Sequence, residues 1–344
     1  MTRLSELTTM RVGGEPASLV RATSRQQVID ACLELWGSGE DWLLLGGGSN
    51  LVVADEVPEL HVIQVASLGV EYNPVAGTNQ VLVRAQAGEN WDALVAQTIE
   101  RGLAGLEALS GIPGSVGAAP VQNIGAYGQE VADTLQRIEF LDYETHEVQV
   151  LELSELGLGY RDSALKRGRL GAVLWVEFLL TDHGCLSAPI SSSQLAGALN
   201  ASMTSQVSLS QIRSAVLELR AAKGMLLDSS DPNSVSCGSF FTNPIVSDTF
   251  ARTLDSAAPR WETPDNDGLT VKLSAAWLIE QTGIPKGFRL PGSAAAISDK
   301  HTLAITNRGG ATAAQILELA EYVQVRVANR FGVALVPEPN LVGF

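Results

Sequence analysis

A mixed α and β fold in two or three domains is what this chain predicts, on three observations. It has 344 residues, and at ~100–200 residues per domain that length divides into two or three. Hydrophobic residues make up 45% of it and charged residues 18%, enough apolar material for substantial cores and unlike disordered, collagenous or low-complexity chains. Its apolar residues also switch between helix-face spacing and the short apolar runs of buried strands.

The elements follow in order. Ser24 is expected to cap a helix whose Val28, Ile29, Cys32, Leu35 and Trp36 share one face, with Gly37 and Gly39 ending it. Short apolar runs predict strands at 42–45, 51–54, 61–65 and 81–85, and a helix over 90–101 turns Leu94, Val95 and Ile99 inward. Residues 102–128 then lose both periods and become dense in glycine, proline and small residues. A hairpin is predicted over 138–153, turning at Glu144 and Thr145, followed by a strand at 173–180 and a serine-rich loop with a short helix at 187–205. Ser210 is expected to cap a helix to about Lys223, and 274–282 forms a helix stopped by Gly283. Thr312 and Gln315 make a capping box for a helix reaching Arg330, with Ile316, Leu319, Val323 and Val327 on one face and Gly332 at its C-terminal cap.

Charge and cysteine usage narrow the function classes. Twenty-three basic residues face 38 acidic ones, a formal net charge of -15, which suits neither nucleic acid nor an anionic membrane as a partner. No apolar run approaches the ~18–20 residues of a membrane span, and residues 1–14 lack the apolar stretch of a signal peptide. The three cysteines, Cys32, Cys185 and Cys237, are too far apart for a disulfide framework or a zinc pattern. The four histidines show no metal-ligand spacing, so no metal is expected. A cytoplasmic protein is the resulting expectation.

Five motifs carry candidate chemistry. Gly46, Gly47, Gly48, Ser49 and Asn50 directly follow a strand. Residues without side chains let backbone N–H groups point into one concavity, which suits a pyrophosphate; a tight turn between strands uses the same residues. The loop is no Walker A sequence, since no lysine follows, and it misses G-x-G-x-x-G because its sixth position is Leu51. In 102–128, Gly111, Gly114 and Gly117 recur at spacing three around Pro113, with Gln122, Asn123 and Tyr127 as polar contacts. Such a stretch is either the wall of a ligand site or a packed irregular loop. Arg161, after Tyr160 and before Asp162, is either a guanidinium fixed by Asp162 and facing a carboxylate, or half of a surface ion pair. Ser239 stands between Gly238 and two phenylalanines, Phe240 and Phe241, ahead of Asn243. Rigid neighbours place its hydroxyl without forming a G-x-S-x-G elbow, and a turn into a strand has the same composition. Glu338 lies between Pro337 and Pro339, as a stiff carboxylate or part of a plain turn. Lys272 and Lys286 flank a predicted helix and hint at a phosphate group.

Six segments in order, LGGGSNLVV, GLEALSGIPGSVGAAPVQNIGAYGQEV, GYRDSALK, LRAAKGMLLD, GSFFTNP and VKLSAAWLIEQTGIPKG, resemble the UDP-N-acetylenolpyruvoylglucosamine reductase family, flavoenzymes of bacterial peptidoglycan precursor synthesis. The resemblance runs from about Thr8 to Phe344. It implies an α+β architecture: a two-subdomain FAD-binding fold of the vanillyl-alcohol oxidase or PCMH type, plus a C-terminal α/β substrate-binding domain. The implied division is 1–70 with 331–344 returning to it, 71–222, and 223–330. The resemblance also implies that Gly46, Gly47, Gly48, Ser49 and Asn50, together with Gly111, Pro113, Gly114, Gly117, Asn123, Gly125, Ala126 and Tyr127, hold the FAD pyrophosphate and flank the isoalloxazine, with Arg220 near the flavin. Neither loop contains a histidine or cysteine that would bond the flavin, so dissociable FAD is expected. NADPH is the implied co-substrate, using the same cleft as the UDP-sugar in turn, and ping-pong kinetics follow.

The chemistry implied by the resemblance gives the isolated residues their roles. The substrate, UDP-N-acetylglucosamine-enolpyruvate, is an enol ether conjugated to a carboxylate. Hydride addition to its vinyl carbon develops an enolate that needs preorganised cations or donors. Arg161 and Glu338 are implied at the substrate carboxylate, with Glu338 protonated or sharing a proton, because a bare carboxylate would repel the enolate. Ser239 is implied as the proton donor to the carbon bearing the ether oxygen. Tyr160, Lys223, Asn243, Lys272 and Lys286 match positions that contact the UDP diphosphate or sugar. Longer members carry a tyrosine in a loop that folds over the substrate. Its nearest equivalent here is Ser192, so either that clamp is lost or Trp261 or another aromatic supplies it. His301 is given no role, and a monomer is expected. Two other readings are a different FAD oxidoreductase of the same fold and a non-catalytic flavin or UDP-sugar binding module. The retained Arg161, Ser239 and Glu338 argue against both.

Overall fold

The structure, a computed structural model, describes residues 2–263 and 268–344. Its first part is a three-stranded parallel sheet ordered Pro16–Ala22, Val57–Val65, Trp42–Leu45. Ser24 caps the helix Arg25–Ser38 by accepting from the Gln27 N–H, as its sequence predicts. Gly37 lies inside that helix rather than ending it; Gly39 is the cap, at φ +75°. The reason is steric: a helix interior tolerates glycine, whereas only the left-handed residue that stops the helix requires it.

The second sheet is antiparallel, ordered Val148–Glu152, Leu135–Asp142, Gly171–Asp182, Gln80–Gln86, Val70–Pro74, with Leu103–Ala104 also paired to Gly171–Asp182. The helix Arg25–Ser38 joins the two sheets, since its Val28, Cys32 and Trp36 pack both on Ile63 of the parallel sheet and on Leu141, Ala172 and Leu174 of the antiparallel one. On the antiparallel sheet the helix Trp91–Glu100 buries Trp91, Leu94 and Val95 against Val83, Val176 and Phe178. The strands at Pro16–Ala22 and Val70–Pro74 carry no clear apolar pattern because they are sheet edges, each with several partly or fully exposed residues.

The third core gathers the helices Ala275–Gln281 and Ala313–Phe331 around Phe240, Phe241, Ile297 and Ile305. Complete burial of Phe240 and Phe241 contributes ~1.5–3 kcal/mol each and pins the backbone on the C-terminal side of Ser239. Thr312 and Gln315 form the predicted capping box, and Gly332 ends the helix at φ +68°. The helix Leu209–Ala222 is capped by Ser208, not Ser210. The capping box needs its Gln three residues on, and only Ser208 stands at that distance from Gln211. Two pairings bring distant segments together. Asn340–Val342 runs parallel to Leu51–Val53, and Pro337 bridges Phe241, with the Glu338 N–H donating to the Phe240 carbonyl at 2.9 Å. Glu338 is thereby set between the glycine loop and the Ser239 turn. No helix among the described residues is long and apolar enough to cross a membrane.

Candidate active site

Two glycine-bearing loops meet between the sheets. A Cβ on Gly47 would lie 2.6 Å from the Gly114 Cα, and one on Gly46 2.3 Å from the Ser115 hydroxyl oxygen. Ser49 ties the loops by donating to the Pro113 carbonyl at 3.0 Å. Gly48 at φ +60° lies under the Leu7 carbonyl. The backbone N–H groups of 46–50, and those of Gly114 and Ser115, donate to no acceptor among the described residues. Gly47 is exposed, but the other donors sit on buried or half-buried residues and need a partner, and an array of them backed by glycines accepts an anion such as a pyrophosphate. The loops also connect two cavities. On one side Gly46, Ser115, Gly117 and Ala118 line an apolar pocket of about 260 Å³ with Trp42, Phe140 and Val173. On the other, Ser49, Asn50, Ile112 and Pro113 open into a cleft of about 750 Å³. A long ligand with a central diphosphate fits that layout: glycine cradle in the middle, cavities at both ends.

The cleft brings the isolated motifs together. Arg161, Ser239 and Glu338 all line it, with Gln122, Gly125, Ala126, Tyr127, Arg220, Lys223, Asn243, Lys272, Trp261 and His301. Arg161 Nε stands 3.1 Å from Glu338 Oε1. Asp162, the partner expected for Arg161, instead pairs with Arg167. The left-handed backbone of Arg161, φ +53°, turns successive side chains apart and sends its guanidinium across to Glu338 and to the carbonyls of Asn123 and Gly125. Burial pushes the Glu338 carboxyl above its ordinary range, and the Arg161 guanidinium and Lys166 ammonium offset part of that rise. Gln122 donates to its Oε1 at 3.4 Å, while Asn50 donates to Gln122 at 2.7 Å and to the Glu338 carbonyl at 3.2 Å. The glycine loop and the carboxylate are thus parts of one network. Ser239 follows Gly238 at φ +78° and takes its place in the cleft from the two buried phenylalanines.

Lys223, Lys272 and Tyr127 line the outer cleft, with Tyr160 behind its lining. Lys272 lies 4.2 Å from the Tyr160 ring centre and Lys223 5.6 Å from that of Tyr127. Burial lowers both ammonium groups, with Arg161 adding to this at Lys272 and Arg220 at Lys223. Arg220 is 9% exposed and holds the Gly111 and Met225 carbonyls. Gly111 is therefore an anchor for Arg220 and lines neither cavity. Asn123, also fully buried, donates to the Gly159 carbonyl and accepts from the Ala132 N–H, bracing the Tyr160 loop from behind. Asn243 accepts from the Ala275 N–H at a helix start. Lys286 is exposed and outside the cleft lining, though its charge reaches His301. Ser192 caps the helix Ser193–Leu199; Trp261, 48% exposed, is the large aromatic at the rim.

His301, which the sequence left without a role, lines the same cleft. Burial, then Lys223 and Lys286, push its imidazole down to about 4, with Glu280 opposing. No local signal marks it: a lone histidine in a turn joins Lys223 only through the tertiary fold.

Comparison with known proteins places these features. Residues 16–151 match the family described as FAD binding domain, and residues 231–342 match UDP-N-acetylenolpyruvoylglucosamine reductase, C-terminal domain. A protein of Leifsonia xyli subsp. xyli named UDP-N-acetylenolpyruvoylglucosamine reductase is 54% identical, covering 99% of this chain and 98% of its own length. One of the same name from Thermobifida fusca is 46% identical, covering 99% and 96%. The crystal structure of the Thermus caldophilus reductase is 28% identical and superposes with a TM-score of 0.64, covering 99% of this chain and 97% of that one.

Proposed function

The chain belongs to the UDP-N-acetylenolpyruvoylglucosamine reductase family, and from that premise we propose that it reduces the enolpyruvyl double bond of UDP-N-acetylglucosamine-enolpyruvate to UDP-N-acetylmuramate, with NADPH as co-substrate and dissociable FAD, as a cytoplasmic monomer. The observation that carries the reading is the shared cleft of Arg161, Ser239 and Glu338, with Arg161 Nε 3.1 Å from Glu338 Oε1. The unpaired N–H groups of 46–50, Gly114 and Ser115 would hold the FAD pyrophosphate. The apolar pocket beside Trp42 would take the adenine end, and the cleft near Arg220 and Tyr127 the flavin. The division into 1–70 with 331–344, 71–222 and 223–330 is the domain organisation we propose with it.

The hydride for the vinyl carbon is what FAD supplies when bound and reduced. Arg161 holds the substrate carboxylate and stabilises the enolate that develops there, in a cleft shielded enough for its charge to count. Burial favours the protonated form of Glu338, and a proton kept there would let it donate a hydrogen bond to that oxygen instead of repelling it. Ser239 delivers the one proton that the reduction needs, to the carbon bearing the ether oxygen, and is refilled from solvent. An unactivated hydroxyl is a weak acid, and it suffices because the enolate is a strong base. Lys223, Lys272 and His301 bind the diphosphate and sugar, with Tyr160 and Asn243 beside them and Lys286 as a more distant cation.

The experiment is a spectrum and a turnover assay on the purified protein. It should carry flavin absorbance, acid should release the yellow colour into the supernatant, and NADPH consumption should require the enolpyruvyl sugar. A colourless protein that binds UDP without turnover would overturn the reading in favour of a non-catalytic module.

A further inference from the structure

Lys166 is not among the residues lining the cleft, yet the geometry assigns it a part in the site. Its Nζ donates to the Arg161 carbonyl at 3.0 Å, across a turn whose other bonds hold it rigid. The Lys166 N–H donates to Ser163 Oγ at 3.0 Å. Ser163, fully buried, donates in turn to the Val121 carbonyl of the glycine-rich segment. That turn contains Arg161 at φ +53°, a left-handed backbone that is unfavourable for a residue with a Cβ and needs surrounding contacts to persist. The Lys166 ammonium closes the turn on the carbonyl of the strained residue itself.

We propose that Lys166 is a positioning residue for the reduction, holding the left-handed Arg161 turn so that the guanidinium faces Glu338, and supplying a second positive charge to that pair. The inference rests on the proposed function, since Arg161 and Glu338 matter only where a substrate carboxylate meets them. Glu338 feels Lys166 directly. Burial raises its carboxyl, and Arg161, then Lys166, lower it. The other titratable groups around it are Tyr160 and Cys237, which both feel its charge; Lys272 acts at one remove, through Arg161.

The sign follows. Removing the Lys166 charge raises the Glu338 carboxyl further, so the alkaline limb of turnover against pH, which reports Glu338 losing its proton, moves to higher pH. The test compares the wild type with Lys166→Met and Lys166→Arg as flavin-loaded proteins. Lys166→Met should lower turnover of the enolpyruvyl sugar about tenfold, less than the ~100-fold cost of a full 1 Å misplacement in a preorganised site, and shift the limb upward. It should change flavin reduction by NADPH less than twofold and weaken calorimetric binding of the enolpyruvyl sugar to the oxidised protein. Lys166→Arg should restore the limb. An unmoved limb with wild-type turnover, or equal losses in both half-reactions, would overturn the proposal. Should Lys166→Met fail to fold, Lys166→Gln, which keeps a donor and drops the charge, carries the same test. Wild-type protein without turnover would sink the function instead, which separates the two failures.

Discussion

Substituting Gly47 by alanine tests the cradle at its tightest point. The added Cβ would lie 2.6 Å from the Gly114 Cα and 2.8 Å from its carbonyl carbon, both backbone atoms, so no rotamer change relieves it. To reach an ordinary contact of 3.4 Å, the Gly114 segment must retreat by about 0.8 Å. Such overpacking costs ~1–3 kcal/mol, and because the retreat separates the two rows of unpaired N–H groups, the cost falls on anion binding. A loss of that size weakens affinity roughly 5–150-fold. The assay is titration of the flavin-free protein with FAD, followed by fluorescence quenching, alongside thermal melting without flavin. Gly37→Ala is the control: that glycine is helical, exposed and has nothing within 4 Å of an added Cβ, so FAD affinity should stay unchanged while the helix gains up to ~1 kcal/mol. FAD affinity of Gly47→Ala within twofold of the wild type would refute the cradle.

Three further predictions follow from the cleft. Ser239→Ala should keep flavin reduction by NADPH and lose reduction of the enolpyruvyl sugar by at least ~100-fold; stopped-flow measurement of the two half-reactions decides it, and equal losses would remove the serine from proton transfer. Glu338→Gln, neutral at every pH, should cost about 100-fold in turnover and leave a rate without the alkaline limb, because in the wild type the protonated carboxyl, raised by burial, is lost as pH climbs through its titration; a limb that persists in this variant assigns it to another group. His301 should titrate near 4 by NMR in the free protein, and UDP bound beside Lys223 should raise it; titration at the ordinary imidazole value of 6.5 would contradict its buried, cation-flanked position.

Much of this was legible in the chain because the signals are local. Ser24, Thr312, Gln315 and Gly332 act within one helical turn, so sequence spacing alone specifies them. The glycine loops were visible because only glycine permits their mutual approach. What the sequence concealed is tertiary. The residues alone suggest Asp162 as the partner of Arg161, and only the resemblance sets Glu338 beside it; in the fold Arg161 pairs with Glu338 and Asp162 with Arg167. Gly111 reads like its loop neighbours but serves Arg220 from behind. His301 and Lys223 belong to different segments, and nothing in either foretells the other.

Asn50 and the Glu338 backbone, 288 residues apart, share a hydrogen bond. A contact that spans so much chain closes late in folding, because its entropy is spent before any local reward. Molecules that have collapsed their separate cores without making this join would possess every helix yet neither grip flavin nor present the carboxylate. Ligands that recognise only the joined state then hold the two ends together by mass action, so cofactor supply would govern how much of the population survives heating.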